Sequence, residues 1–324
     1  MIVILHSAIT EHAALDDQET MQQVAAVAAA LEELGLAAIT LPFTLDFDLL
    51  KAQLRHYDPA LVFNLVESIN GRSDLCHLVP MWLEELGLPY TGGNPRSIMM
   101  SSDKLLAKNI LEIAGIAVPR VLTWADKDNL FFPEDGPYII KSARADGSIG
   151  IDQTSIINDY ASFAAGIAAR QQQFGGEWFA ERFIAGREFN IGILATLEGP
   201  LILPIAEIEF RDFSQEQFAI VDYAAKWQVE SNEYQQTVRC FNNAAADARL
   251  FNQLQELALV CWRTFSASGY ARLDVRVDQQ GKPWVLELNI NPSLAPDAGF
   301  AAAAAQAGYD YAQIINQVIK SGYL

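Results

Sequence analysis

The chain has 324 residues, of which 51% are hydrophobic and 19% are charged, so it carries ample apolar material for folded cores and disorder is disfavoured. This length is typical of two or three domains that share one site. Asp and Glu number 40 against 22 Lys and Arg, and the net charge of −18 argues against a general binder of nucleic acid or of anionic membranes.

Neither export nor membrane insertion is expected. The longest apolar runs are well short of the ~20 residues that a membrane-spanning helix needs, and residues 1–5 lack the basic flank of a signal peptide. The three cysteines, Cys76, Cys240 and Cys261, are odd in number and show no Cys-x-x-Cys spacing. We therefore expect a cytoplasmic protein whose cysteines are reduced packing residues.

The first part of the chain alternates apolar strands with helices. The pattern predicts strands over 2–5, 37–41 and 61–65, and helices over 20–34 and 49–57. This alternation favours a parallel sheet with helices on its faces. Residues 1–94 are therefore interpreted as a first α/β domain.

A stretch rich in Gly and Pro at 89–95 separates this domain from a smaller β-rich unit. There the sequence predicts a helix over 103–114 capped by Ser102, strands over 120–124 and 138–141, a glycine-bearing loop over 145–150, a helix over 159–173 and a strand over 177–183. The third unit is predicted to have strands over 188–196 and 201–209, a long polar loop over 210–237, a helix over 245–268, a strand pair and C-terminal helices. We expect domains at 1–94, 95–180 and 181–324.

The strand pair near the C-terminus is the most informative stretch. Residues 271–277 and 285–291 alternate polar and apolar side chains, and the sequence between them is typical of a turn. The polar faces carry Arg272, Asp274 and Arg276 on the first strand, and Glu287, Asn289 and Asn291 on the second. The pattern predicts a β-hairpin with one polar face.

A turn centred between Gln280 and Gly281 would place Asp274 directly opposite Glu287. Opposed carboxylates destabilise a sheet unless a cation lies between them. Together with Asn289 they form an all-oxygen ligand set, for which Mg²⁺ is the expected ion. The hairpin alone leaves a second interpretation open, a solvated face on which arginines neutralise the acids.

A strand that ends at Lys141 precedes the loop over 146–150, whose glycines would let backbone N–H groups approach phosphate oxygens. The order of residues is neither that of a P-loop nor that of a dinucleotide fingerprint. Taken alone, this segment is more typical of a turn beside a surface lysine than of a phosphate site, and Lys104 taken alone is more typical of an exposed helix residue.

In combination these motifs resemble the ATP-grasp superfamily, and within it the D-alanine–D-alanine ligase family. The resemblance rests on six motifs in the same order, over nearly the whole chain: 103–104, 141–150, 181–188, 222–226, 272–274 and 287–292. It implies an α/β fold, α+β in parts, with three domains and a Rossmann-like parallel sheet at the N-terminus. It also implies that ATP binds between the central and C-terminal domains, and that an amine attacks an acyl phosphate made from a carboxylate.

The family's residue roles carry over by position. The residues that would contact the phosphates are Lys104, Lys141, Gly147 and Ser148. The adenine-binding connection would be formed by Glu181, Arg182, Phe183 and Ile184, and the ribose would be bound by Glu188. Lys226 and Arg272 would neutralise the transferred phosphoryl group, with Ser148 on the loop that covers it. Asp274, Glu287 and Asn289 would hold two Mg²⁺ ions. Lysines, an arginine and metal-binding carboxylates are what phosphoryl transfer requires.

The substrate half departs from the family. Glu67 stands where the family has a histidine near the first substrate's amine, and Trp227 replaces a tyrosine whose hydroxyl joins a hydrogen-bond chain. Asp297, Ala298 and Gly299 replace the His-Ser-Leu that receives the second substrate's carboxylate, while Glu11 aligns loosely with an N-terminal glutamate. We expect D-alanine to be a poor acceptor and an amine without a nearby carboxylate to be preferred, unless Asp297 only caps the helix that follows.

The leading hypothesis is an ATP-dependent carboxylate–amine ligase that forms an amide or peptide bond with an altered substrate pocket. The alternatives are a ligase that joins two D-alanines and a nucleotide-binding module without turnover. Retention of both metal-binding and charge-neutralising residues disfavours the module. Small-molecule substrates are expected, with no nucleic-acid or membrane partner; the sequence leaves the substrates' identity and stereochemistry open, and also the oligomeric state, with a homodimer among those considered.

Overall fold

In a computed structural model, which describes residues 1–8, 15–124, 136–214, 216–241 and 247–323, the chain forms three β-sheets with flanking helices. The N-terminal elements are β1 (Ile2–Ser7), α1 (Leu15–Glu33), β2 (Ala38–Phe43), α2 (Phe47–Tyr57) and β3 (Leu61–Leu65). The strands are ordered β2-β1-β3, and both pairs are parallel. The predicted parallel α/β arrangement is confirmed, and β3 has the predicted bounds.

Three helices connect this sheet to the rest of the molecule: α3 (Leu78–Glu85), α4 (Pro95–Ser101) and α5 (Lys104–Ile113). The prediction that Ser102 caps α5 is wrong. Asp103 is the capping residue, and its Oδ1 accepts hydrogen bonds from the N–H groups of Leu105 and Leu106, both at 3.1 Å. Aspartate accepts hydrogen bonds from the free N–H groups of the first turn, and its negative charge interacts favourably with the positive end of the helix dipole. The cap sets Lys104 as the first residue of the helix.

The middle of the chain forms a four-stranded antiparallel sheet. Its elements are β4 (Val121–Leu122), β5 (Tyr138–Ser142), β6 (Ile156–Ile157), α6 (Tyr160–Phe174) and β7 (Trp178–Arg182), with strand order β4-β7-β5-β6. Phe163 and Ile167 of α6 are fully buried in its core. Lys141 thus lies on a strand held on both sides.

The C-terminal part contains a six-stranded sheet and five helices. The strands are β8 (Gly186–Thr196), β9 (Gly199–Ile202), β10 (Ala206–Phe210), β11 (Thr237–Cys240), β12 (Tyr270–Asp278) and β13 (Pro283–Ile290), and the helices are α7 (Tyr223–Trp227), α8 (Asn232–Gln236), α9 (Ala248–Thr264), α10 (Gly299–Gln306) and α11 (Tyr311–Ser321). Their path is β11-β10-β8-β12-β13, with β9 beside β8. Two predictions are wrong: 201–209 forms two strands, and the polar loop over 210–237 contains two short helices, because Asp222 and Ser231 cap them.

The predicted hairpin is confirmed, with one correction to its register. Asp274 pairs with Glu287, as predicted, but beyond this pair Val275 faces Val285 and a β-bulge leaves Leu286 as an extra residue. A bulge re-aims neighbouring side chains and often lies beside a functional site. The polar face near the carboxylates therefore has the predicted register, whereas the half next to the turn is shifted by one residue.

The C-terminal sheet packs its apolar face on α9. Leu273 and Val275 are fully buried there against a cluster that includes Leu254 and Cys261 of that helix. On β12 the apolar face is therefore in the core, and the opposite face is left for polar chemistry. No helix among the described residues is long and apolar enough to span a membrane.

This packing predicts the cost of a cavity. Leu273→Ala should lower the free energy of unfolding by about 2–5 kcal/mol, because the buried side chain leaves a space that the sheet and helix cannot fill. Leu197→Ala, at a leucine that is 90% exposed, is the matched control and should change it by less than about 0.5 kcal/mol. Equal denaturant midpoints for the two variants would contradict the assignment of this core.

Candidate active site

Asp274 is held by several side-chain hydrogen bonds on the hairpin's polar face. Arg272 donates from Nε and from an Nη to its two oxygens, both at 2.7 Å, and Asn190 of β8 donates to Oδ1 at 2.9 Å. The residue is 6% exposed, so this is a buried bidentate ion pair. Burial raises the pKa of Asp274, Arg272 opposes that rise, and Glu287 adds to it.

Glu287 lies opposite and is compensated by cations from other elements. Burial disfavours its charge, but Lys104, Lys141 and Lys226 outweigh burial and hold the pKa of Glu287 well below its usual range. Asn289 links the two carboxylates, donating to Oδ2 of Asp274 at 3.1 Å and to Oε1 of Glu287 at 3.0 Å. The interpretation as a solvated face is therefore wrong: three lysines remote in sequence surround Glu287.

The donor set of this face fits a hard divalent cation. Asp274 and Glu287 offer carboxylate oxygens on adjacent strands, and rotation of the Asn289 amide would present its oxygen in place of the N–H₂ group that now bridges them. Two carboxylates that face each other on adjacent strands repel, so a cation bound between them would also stabilise the sheet. These three residues together can hold Mg²⁺.

Lys104 joins the hairpin to the glycine-bearing loop. Its Nζ donates to Asp146 Oδ1 at 2.8 Å and to the Ala145 carbonyl at 2.9 Å, and lies 3.9 Å from Glu287 Oε2. Burial lowers the pKa of Lys104, but Asp146 and Glu287 raise it more, so that the net shift is upward. The expectation of an exposed helix residue is wrong, since Lys104 is 9% exposed.

Glu181 contributes a buried carboxylate at the end of β7. Its oxygens lie 2.6 Å from Lys141 Nζ and 2.5 Å from Lys108 Nζ, and although burial opposes its charge, the lysines lower the pKa of Glu181. Lys108 also donates to the carbonyl of Leu286, the bulged residue, at 3.1 Å. The sequence analysis missed Lys108, although its spacing of four from Lys104 put both on one helix face.

The glycine-bearing loop docks on the segment 216–227. Ser148 Oγ donates to the Val221 carbonyl at 2.8 Å, and Tyr223 N–H donates to the Ile151 carbonyl at 3.1 Å. Trp227 Nε1 donates to the Gly147 carbonyl at 2.8 Å, and a Cβ on Gly147 would lie 3.5 Å from the Trp227 ring. Trp227 thus bonds the loop through its indole N–H, whereas the tyrosine expected from the resemblance would use its hydroxyl.

Lys226 lies in the last turn of α7, which begins after Asp222. The Asp222 side chain accepts from Ala225 N–H at 2.9 Å and is itself 4% exposed, so the helix start is fixed. Burial lowers the pKa of Lys226, and the nearby positive charge of Arg272 lowers it further. The two cations therefore face the same space, in front of the carboxylate pair.

The connection between β7 and β8 is held by backbone hydrogen bonds to the central part of the chain. Backbone N–H groups of Arg182 and Phe183 donate to the carbonyls of Arg120 and Pro137, both at 2.8 Å. Glu188 Oε2 accepts from Arg276 Nε at 2.9 Å and from Nη2 at 2.8 Å. Arg276 therefore pairs with Glu188 on β8 and not with the hairpin carboxylates.

Glu67 lies beside the N-terminal helix. Its N–H donates to Ser7 Oγ at 3.1 Å, and its Oε1 accepts from Gln23 Nε2 at 2.8 Å. Gln23 Oε1 in turn accepts from the Leu294 N–H at 2.5 Å, which ties α1 to the segment after the hairpin. Glu11, the loosely aligned glutamate, lies outside the described residues.

The sequence analysis did not single out Glu19, which lies one turn before Gln23. Its Oε1 accepts from Ser293 Oγ at 2.9 Å. Burial raises the pKa of Glu19, while Lys226 and Arg272 are close enough to oppose the rise. A glutamate on α1 therefore faces the two catalytic cations assigned by the resemblance, a proximity that arises only from folding.

The segment 297–299 lies at the start of α10. The first turn is preceded by Ala298, with no side-chain cap, so the interpretation of Asp297 as the helix cap is wrong. The Asp297 carbonyl accepts from Arg239 Nη1 at 3.1 Å, and a Cβ on Gly299 would lie 3.7 Å from the same guanidinium. Arg239, which the sequence analysis also missed, brings a positive charge beside the exposed Asp297.

The fold and the comparisons with known proteins identify the chain as an ATP-grasp ligase. The family model “D-ala D-ala ligase C-terminus” matches residues 129–320. The D-alanine–D-alanine ligase of Synechococcus sp. (strain JA-3-3Ab) is 29% identical over 296 residues, 90% of this chain and 85% of the relative. That of Synechococcus sp. (strain JA-2-3B'a(2-13)) is 30% identical over 243 residues, covering 74% of this chain and 69% of the relative.

A solved D-alanine–D-alanine ligase of Bacillus anthracis, complexed with ATP, superposes with a TM-score of 0.74 at 21% identity, covering 99% of this chain and 97% of that one. The chain belongs to the D-alanine–D-alanine ligase family, whose members join a carboxylate to an amine at the expense of ATP. The predicted family, fold class and ligase activity are confirmed; the domain boundaries and site residues remain predictions.

Replacing Glu287 tests the carboxylate pair. Glu287→Gln should reduce Mg²⁺-dependent ADP release by about 100-fold or more, because an amide neither balances the three lysines nor binds the cation as tightly. Asp278→Asn, at the turn of the same hairpin, is the control and should retain turnover. Undiminished turnover of Glu287→Gln across a Mg²⁺ titration would exclude a metal-holding role.

Proposed function

We propose that this chain forms an amide or peptide bond by activating a carboxylate as an acyl phosphate, with ATP in the cleft between the central and C-terminal sheets. The observation that carries the proposal is the convergence of Lys104, Lys141, Lys226 and Arg272 on the Asp274–Glu287 pair. Four cations gathered near this pair in an otherwise acidic protein are suited to neutralising the charge of a phosphoryl group.

In this proposal, different residues of the cleft bind the phosphates, the transferred phosphoryl group and the metal ions. Lys104 and Lys141 contact the phosphates under the loop that carries Gly147 and Ser148, and Lys226 with Arg272 neutralises the group in transfer. Asp274, Glu287 and Asn289 hold two Mg²⁺ ions, which when bound shield phosphate charge. Positioning and charge neutralisation are the main requirements of such a transfer.

We assign the binding of the adenine base and the ribose of ATP to the connection over 181–188. The Ile184 N–H has no partner in the part of the chain that the structure describes, which leaves a backbone donor for a ring nitrogen. Glu188 is 8% exposed and near the same end of the cleft, so its carboxylate is suited to the ribose hydroxyls. Glu181 supports Lys141 with its side chain in addition to contributing backbone.

The carboxylate substrate is assigned to the space between α1 and the hairpin. Glu19 and Glu67 provide two carboxylates there, which favour a substrate with a cationic amine.

All three cysteines are free and buried thiols, which supports the cytoplasmic location expected from the sequence.

For the acceptor we propose an amine other than D-alanine. Ala298 offers no hydroxyl to a carboxylate, and Asp297 would repel one at a cost of about 1 kcal/mol. Arg239 beside them keeps D-alanyl-D-alanine formation as the second candidate, because a guanidinium binds carboxylates well.

Acceptor choice separates the two candidates. We expect kcat/KM for D-alanine well below about 10⁴ M⁻¹s⁻¹ and selective turnover of a carboxylate-free or basic amine, measured by ADP release and product mass. Arg239→Gln should then change D-alanine use little. Efficient D-alanyl-D-alanine formation that Arg239→Gln abolishes would establish the second candidate instead.

The pKa of Lys226 predicts a pH profile. Burial lowers this pKa, and the protonated form is the one that neutralises charge. As the pH rises, kcat/KM should therefore fall, with a midpoint below the ordinary lysine pKa of about 10.4. Lys226→Arg stays protonated, so its alkaline limb should move to higher pH even if its rate is lower. Identical limbs in both enzymes would show that another group titrates.

A further inference from the structure

Arg276 is a buried cation that the proposed chemistry does not use. It lies on β12, on the same face as Arg272 and Asp274, and is only 4% exposed. Besides its two bonds to Glu188, it donates from Nη1 to the Ile184 carbonyl at 2.9 Å and from Nη2 to the Ala219 carbonyl. One guanidinium therefore holds three acceptors from two separate parts of the chain, the connection over 181–188 and the segment that contains Ala219.

Aromatic rings fix the plane of this guanidinium. Its Cζ lies 4.8 Å from the centroid of Phe183 and 5.7 Å from that of Phe210. Arginine's planar fork stacks on aromatic faces while its N–H groups bond in plane, and hydrogen bonds of a buried charge are strong. Glu188, Ile184 and Ala219 are thus held in a fixed mutual arrangement.

The segment that carries Lys226 is held from two sides. Gln153 bonds both the N–H and the carbonyl of Phe218, and Ser148 bonds the Val221 carbonyl, all from the central part of the chain. Between these, Ala219 is bonded by Arg276 of the C-terminal sheet. Among the hydrogen bonds described for residues 218–221 that reach other parts of the fold, release of Arg276 would leave those to the central part.

We propose that Arg276 is a positioning residue that orients Glu188 towards the nucleotide ribose and at the same time holds the segment 216–227 that carries Lys226. The inference rests on the proposed function, because that function puts the nucleotide at this end of the cleft. It adds a coupling: ribose recognition and placement of Lys226 depend on one side chain.

The test compares Arg276→Met with the full-length parent protein. Calorimetry with Mg²⁺ measures binding of ADP and of 2′,3′-dideoxy-ADP, which lacks both ribose hydroxyls. The parent should prefer ADP by about tenfold or more. In Arg276→Met, ADP should bind about tenfold more weakly while dideoxy-ADP changes less than about threefold, so that the preference is lost.

Hydrogen exchange tests the second half of the coupling. Without nucleotide, peptides from 216–227 should exchange faster in Arg276→Met than in the parent, while peptides from the core of α9 do not. Arg211→Met, at an exposed arginine shortly before this segment, is the matched control and should leave both readouts unchanged. Arg276→Lys keeps a buried charge without the planar fork and should reproduce the loss if the methionine variant folds poorly.

The outcomes separate the two proposals. A parent protein that binds no nucleotide overturns the proposed function. A parent that binds ADP, with variants that lose ADP and dideoxy-ADP equally, leaves the function intact and overturns the role of Arg276, because loosened structure alone weakens both. Unchanged exchange over 216–227 likewise overturns the coupling.

Discussion

The site depends on the repulsion between Asp274 and Glu287, which face each other on adjacent strands. Folding balances that repulsion in two ways: Asp274 has a bidentate partner two residues away in Arg272, whereas Glu287 is surrounded by lysines from α5, β5 and α7. A buried charge that lost such partners would cost several kcal/mol. The carboxylate pair therefore lies where three other elements, α5, β5 and α7, meet the hairpin.

The same charge pairing explains how an acidic protein can bind a polyanion such as ATP. With a net charge of −18, long-range repulsion opposes ATP binding. The cations of the cleft are buried or half-buried and paired with carboxylates, so they act at short range. Burial lowers the pKa of Lys108 and of Lys226, whereas nearby acids keep the pKa of Lys104 raised. Each lysine is therefore tuned by its own neighbours.

Local patterns carried most of what the sequence could predict. Alternation along β12 and β13 and the turn between them gave the Asp274–Glu287 pair, because strand periodicity and turn position fix register. The bulge at Leu286 was not predictable, since nothing in the local pattern marks an extra residue; its carbonyl is bonded by Lys108, some 180 residues away in sequence. The split of 201–209 and the helices within 210–237 depend similarly on caps and packing that short windows do not reveal.

The substrate side shows the same limit most clearly. Glu19, Gln23 and Arg239 are unremarkable residues of a helix and an edge strand, and no motif marks them. Glu19 and Gln23 come close to the segment after the hairpin because Ser293 and Leu294 return to α1, through bonds of 2.9 and 2.5 Å. These contacts join the first 25 residues to the last 35, so no local pattern predicts them, and the same holds for the bond from Arg239 to the Asp297 carbonyl. The lysines around Glu287 are also brought together only by folding, but each lies in a short motif that can be recognised locally, which is why sequence motifs identify that half of the site.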